Sequence, residues 1–107
     1  MVIIEIELRT KEVVKILHSL QELRIEAMHQ PGYISGNTLV GVEDPSLISI
    51  VTIWQSAKEW KAWEESQTQI NIFKKIVPSL LEKSTIKIFR YLSYEAKPHI
   101  LDNNRED

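Results

Sequence analysis

Leu47-Ile48-Ser49-Ile50-Val51-Thr52-Ile53-Trp54 (residues 47–54) is the stretch on which the fold turns. Isoleucine, valine and threonine crowd a helix but fit the pleat of a strand, where successive side chains point to opposite faces. Leu47, Ile48, Ile50, Val51, Ile53 and Trp54 therefore place large apolar groups on both faces of one strand. Downstream, Ser56-Ala57-Lys58-Glu59 has the form of a capping box, with Ser56 at the N-cap and Glu59 reaching back. The helix it opens carries Trp60 and Trp63. Ile70, Phe73, Val77 and Leu80 continue a helical stripe after a break expected near Gln67-Thr68, with a disturbance at Pro78. Upstream, Glu43-Asp44-Pro45 is a turn signal, and Tyr33 to Val42 reads as a strand loosened by Gly36 and Gly41. The link between the two strands is short, which predicts an antiparallel hairpin.

The ends of the chain complete the pattern. Val2, Ile4, Ile6 and Leu8 alternate with Ile3, Glu5, Glu7 and Arg9, a strand with one wholly apolar face. Thr10 is a candidate N-cap for a helix from Lys11 to about His29, whose stripe is Val13, Ile16, Leu17, Leu20, Leu23 and Ala27. Pro31-Gly32 ends that helix. Ser84 to Tyr94 is the last strand. The order is βαββαβ, which predicts an α+β, ferredoxin-like domain over residues 1–95: both helices on one face of a four-stranded antiparallel sheet. Residues 96–107 form a polar tail expected to be poorly ordered.

The helices can cover only one sheet face. Strand 47–54 is apolar on both, and Ile3, Phe89 and Tyr91 are candidates to add to the uncovered side. Leaving four or five such side chains in water would cost about 1.5–3 kcal/mol each. A two-fold partner packing sheet against sheet relieves this, so the expectation is a homodimer whose two sheets form one barrel.

Composition excludes several classes of function. The 107 residues carry 13 Lys+Arg against 15 Asp+Glu, a balance without the basic excess of a nucleic-acid binder. With 43% apolar and 26% charged residues the chain has the make-up of a folded globular domain. There is no cysteine, hence no disulfide, thiolate nucleophile or cysteine-based metal site. No run approaches a membrane span and no secretory signal is read at Met1, so a cytoplasmic location without membrane contact is expected.

The run Trp54-Gln55-Ser56-Ala57-Lys58-Glu59-Trp60-Lys61-Ala62-Trp63-Glu64-Glu65-Ser66 resembles the opening of the second helix in the antibiotic biosynthesis monooxygenase superfamily. Pro31-Gly32-Tyr33 before a hairpin is similar to the start of that family's second strand, and the likeness runs over roughly residues 2 to 94. The resemblance implies a dimeric α+β barrel with a pocket between helices and sheet in each subunit. It also implies oxygenation of a small aromatic, quinol-like substrate by O₂ without a cofactor. Other members bind and degrade haem through an axial histidine, a first-strand asparagine and a helix-two tryptophan. Of these only the tryptophan carries over, to Trp63. Phe73 stands where the histidine would be, and Glu5 or Ile6 where the asparagine would be.

Trp63, Phe73, Trp60, Arg24 and Asn37 are the candidate substrate-binding residues. Trp60 and Trp63 lie one turn apart and read either as pocket wall or as core between helix and sheet. Arg24 falls within the apolar stripe of the first helix, between Leu20 and Met28. It reads either as a stem snorkelling to the rim or as a guanidinium at the pocket mouth, able to hold a carboxylate. His18 and His29 are separated by about 16 Å along one helix, too far to share a metal, and no metal site is expected. Glu5 and Glu7 are placed to pair with Lys87 or Arg90. No phosphate loop, nucleotide fingerprint or Ser-His-Asp order is present. A non-catalytic ligand-binding dimer on the same scaffold is the alternative from a different class.

Overall fold

The computed structural model describes residues 1–93. Its elements are β1 (Val2–Arg9), α1 (Val13–Met28), β2 (Tyr33–Val40), β3 (Leu47–Trp54), α2 (Ala57–Glu64), α3 (Gln67–Ile76), a 3₁₀ turn (Val77–Ser79) and β4 (Thr85–Arg90). The strands form one antiparallel sheet in the order β2-β3-β1-β4. This is the βαββαβ arrangement predicted from the sequence, with the second helical element in two pieces.

Alternation in β1 decides which face the helices take. Val2, Ile4 and Leu8 are buried beneath them, Ile4 completely. On α1, Ile16, Leu20 and Ala27 are buried against that face, while Leu17 at the edge of the stripe remains half exposed. One part of the core joins Val2, Ile4, Ala27, Trp54, Trp60 and Trp63; the other joins Leu8, Ile16, Leu20, Ile48 and Ile76. Trp54 closes β3 with no exposure, its ring edge-on to Tyr33 at 5.4 Å and its indole N–H donating to the Thr52 hydroxyl.

The helix starts follow local chemistry. Ser56 caps α2 as expected by accepting from the backbone N–H of Glu59, while the Glu59 carboxylate reaches back to the Ser56 hydroxyl rather than to its backbone N–H. The break before α3 comes at Glu65–Ser66, slightly earlier than expected, because Ser66 supplies a second N-cap by accepting from the N–H of Gln69. Gly32 sits at φ +86°, where a side chain is strained, and a Cβ there would collide with Glu59. The Gly32 carbonyl accepts from Gln55, fixing the end of β3 and the start of α2 beside β2.

Thr10 does not cap α1. The N-cap is Glu12, without a side-chain bond, and Thr10 is wholly buried. Its hydroxyl donates to the Ser79 carbonyl at 2.7 Å and accepts from the Glu12 N–H at 2.9 Å, tying β1 to the 3₁₀ turn that contains Pro78. Thr10→Val should lower stability by about 1–3 kcal/mol, because the buried Ser79 carbonyl and the partly buried Glu12 N–H lose their partner. Urea unfolding followed by circular dichroism measures this. The outer strands are shorter than expected: β2 stops at Val40, and β4 at Arg90 rather than Tyr94. The last of these residues and the tail at 96–107 lie outside the described residues.

By register, the sheet face away from the helices carries Ile3, Glu5 and Glu7 of β1 opposite Ile53, Val51 and Ser49 of β3. Phe89 and Lys87 of β4 stand opposite Ile3 and Glu5, and Leu39 of β2 is opposite Ser49. Phe89 is 47% and Leu39 52% exposed. Among the described residues Glu5 accepts from the Ser49 hydroxyl and makes no ion pair with Lys87, although the two are register partners. Arg9 instead pairs with Asp44 and Glu82 at the end of the sheet. There the Ser46 hydroxyl first, and then the Arg9 guanidinium, hold the Asp44 carboxyl below the usual carboxylate range.

Candidate functional site

Between α1, the α2–α3 pair and the inner face of β2–β3 the packing leaves a slot. Its free space, open mouth included, is about 580 Å³, but only about 50 Å³ of it is wide enough to centre a water molecule. A second hollow lies on the other side of Trp63 and Phe73, towards Ser84 and Ile86, with about 390 Å³ on the same measure. The two share Ile6, Trp60, Trp63, Gln69 and Phe73, so these side chains form the partition between them.

The partition follows from helical spacing. Trp60 and Trp63 are three residues apart on α2 and face the same way; Gln69 and Phe73 are four apart on α3 and do likewise. Both indoles are also core, at 4% and 7% exposure. The two readings of these tryptophans are therefore compatible: one side of each ring packs on the sheet and another bounds free space. Phe73 is half-buried. Ile6 and Ile50 form the apolar floor, and Thr52 adds a hydroxyl already engaged by Trp54.

All five candidate residues from the sequence line the slot: Trp60, Trp63, Phe73, Arg24 and Asn37. Arg24 is exposed at the mouth and is the sole charged residue of the lining. Asn37 belongs to the β2 rim and in register stands opposite Val51, on the outer-face side of the pleat. Tyr33, Thr38, Thr52 and Gln69 are polar lining residues that the sequence reading did not single out. Tyr33 is the most notable. A Cβ at Gly36 would lie 2.6 Å from its hydroxyl, so the absence of a side chain at 36 leaves room for that oxygen.

His18 on α1 and His29 at its C-cap are exposed and line neither hollow; the His29 imidazole bonds the Ile25 carbonyl. Among the described residues no three His, Cys, Asp or Glu side chains gather as metal ligands. At the position where the family resemblance would put a haem ligand stands Phe73, whose phenyl has no donor for iron. These residues do not fit a ligated haem. Glu64 and Glu65 stand at the rim of the second hollow, Glu64 paired with Lys61 at 3.0 Å. No helix among the described residues is long and apolar enough to cross a membrane.

Solved structures share this architecture. A cofactor-independent oxygenase of Streptomyces nogalater, SnoaB, superposes with a TM-score of 0.79 at 9% identity, covering 91% of this chain and 96% of its own. A conserved protein of Methanosarcina mazei gives 0.79 at 18% identity over 83% and 90% of the two chains. A candidate antibiotic biosynthesis monooxygenase of Nitrosomonas europaea gives 0.79 at 14% identity, over 87% and 100%. At these identities the likeness concerns the fold alone. No curated protein matches the sequence. The profile of the antibiotic biosynthesis monooxygenase family, however, matches residues 1–75, and the chain belongs to that family.

Proposed function

We propose that the protein is a cofactor-independent monooxygenase acting on a small aromatic, quinol-like substrate. The observation that carries this is the aromatic partition of Trp60, Trp63 and Phe73 beside a hollow of about 390 Å³, in a chain of this family. That volume falls in the range of small-molecule sites, about 300–1,000 Å³. Flat apolar walls favour stacking of a planar ring. SnoaB, a cofactor-independent oxygenase, shares the fold and supports the reading.

In such a reaction the substrate is its own reductant. A ring CH₂ of an anthrone-type compound becomes a carbonyl: one atom of O₂ stays in the product, and the other leaves as water with the two hydrogens. The protein holds the ring and excludes solvent. The slot is lined by no carboxylate and no imidazole, and the two carboxylates of the second hollow, Glu64 and Glu65, stand at its rim, Glu64 engaged by Lys61. Ionisation is therefore assigned to the substrate, and the rate should rise with pH around the substrate's own pKa.

The subunit is further proposed to work as a homodimer, each copy covering the other's outer sheet face. Val51, Ile53, Phe89 and Leu39 supply the apolar surface that supports this.

An oxygen electrode tests the activity. Metal-stripped, flavin-free protein should consume one O₂ per anthrone oxidised, with a rate that follows substrate ionisation. Binding without O₂ uptake across anthrones and quinols would favour the non-catalytic binding dimer instead.

A further inference from the structure

We infer that an aromatic carboxylate docks in the free space of about 580 Å³ made up by the slot and its open mouth, its anionic group held by Arg24 and the hydroxyl of Tyr33. This rests on the reading of the cavity as a ligand site and adds the charge its ligand carries.

Arg24 is a cation at the mouth of the slot with no acid one helical turn away to pair with. The helix neighbours one turn away on either side are Leu20, Gln21, Ala27 and Met28, none of them an acid. Lys61 pairs with Glu64, Lys15 with Glu12 and Lys75 with Glu22 on α1; Lys58 and Lys74 make no ion pair among the described residues, but neither lines the slot. Among the described residues the Arg24 side chain has neither ion pair nor hydrogen bond. It also lines the slot, whose other members are neutral. An uncompensated guanidinium beside an apolar slot gives that slot a preference for anions. Its planar fork of donors matches a carboxylate better than any neutral group.

Tyr33 adds a second donor. Its ring is fixed edge-on against the fully buried Trp54, so the direction of its C–O bond is set by the core. The hydroxyl lies over Gly36 in the same lining and has no hydrogen-bond partner among the described residues. The phenol thus offers the slot one O–H donor that no described residue engages. A cation and a neutral O–H donor on one slot, with two indoles beside them, suit a ring bearing a carboxylate at its edge.

The test compares 2-naphthoate with 2-naphthamide, which share shape and differ in charge, by quenching of tryptophan fluorescence on the full chain. The wild type should bind the acid about tenfold or more tightly than the amide, a margin typical of charge-assisted hydrogen bonds. Arg24→Gln should erase the preference, chiefly by weakening the acid. Tyr33→Phe keeps the ring on Trp54 and should reduce the preference a few-fold. Raised salt should shrink it, since the guanidinium is at an exposed mouth. Equal binding of acid and amide by the wild type, or a preference surviving in Arg24→Gln, would overturn this inference while leaving the cavity reading intact. Failure of both probes to saturate would overturn the cavity reading, and this inference with it.

Discussion

Val51→Lys is expected to split the proposed dimer into monomers. Val51 sits mid-strand on β3, opposite Asn37 on one side and Glu5 on the other, at the centre of the outer sheet face. A two-fold contact brings each copy's patch onto the same patch of its mate, so one substitution buries two ammonium groups facing each other. Glu5 beside each ammonium offsets only part of its charge, and desolvating two facing ammonium groups still costs several kcal/mol, which raises the dissociation constant about a thousandfold. Sedimentation velocity at micromolar concentration should give about 25 kDa for the wild type, twice the 12.5 kDa of one chain, and the single-chain mass for the variant. Far-UV circular dichroism should stay unchanged, because Val51 lies on the face opposite the helices. A wild type that sediments as a monomer would remove the barrel from the account.

Trp63→Ala is expected to cost both stability and turnover. The indole is 7% exposed and joins Val2, Ile4, Ala27, Trp54 and Trp60 in the core. Its truncation should destabilise the fold by about 3–5 kcal/mol. It also removes part of the partition between the two hollows and leaves the ring of a bound substrate free to rotate. Misplacement on the scale of an ångström costs about a hundredfold in rate, and a loss at least that large is expected in oxygen uptake. Trp63→Phe separates the two effects. It retains an aromatic face, so turnover should stay within about tenfold of wild type while stability still falls. Undiminished oxygenation by a folded Trp63→Ala protein would place the chemistry elsewhere.

What was legible in the sequence is what depends on neighbours along the chain. Alternation in β1 and the two-faced apolar run of β3 fixed the sheet. Spacing put Trp60 and Trp63 on one face of α2, Arg24 within the apolar stripe of α1 and Phe73 in the stripe of α3; that they border one pocket was implied only by the family resemblance. Ser66 as a second cap could have been found, since Ser-Gln-Thr-Gln repeats the capping pattern of Ser56 to Glu59. Thr10 misled because a threonine before a helix ordinarily caps it. Its hydroxyl is drawn instead to Ser79, 69 residues away in the chain, and no local pattern reports that distance. Tyr33 escaped notice for a similar reason. Its hydroxyl reaches the slot because the register of β2 slips between Tyr33 and Ser35 and because Gly36 leaves a gap beneath it. A slipped register turns side chains to the other face, and alternation alone does not reveal where the slip occurs.

The sharpest test of the account follows the oxygen atoms. Metal-stripped, flavin-free protein should be supplied with ¹⁸O₂ and an anthrone-type substrate, and the product analysed by mass spectrometry. One labelled oxygen per product molecule, formed at a rate set by wild-type Trp63 and lost in Trp63→Ala, is the predicted result. Product carrying unlabelled oxygen, or label incorporated equally fast without the protein, would contradict it.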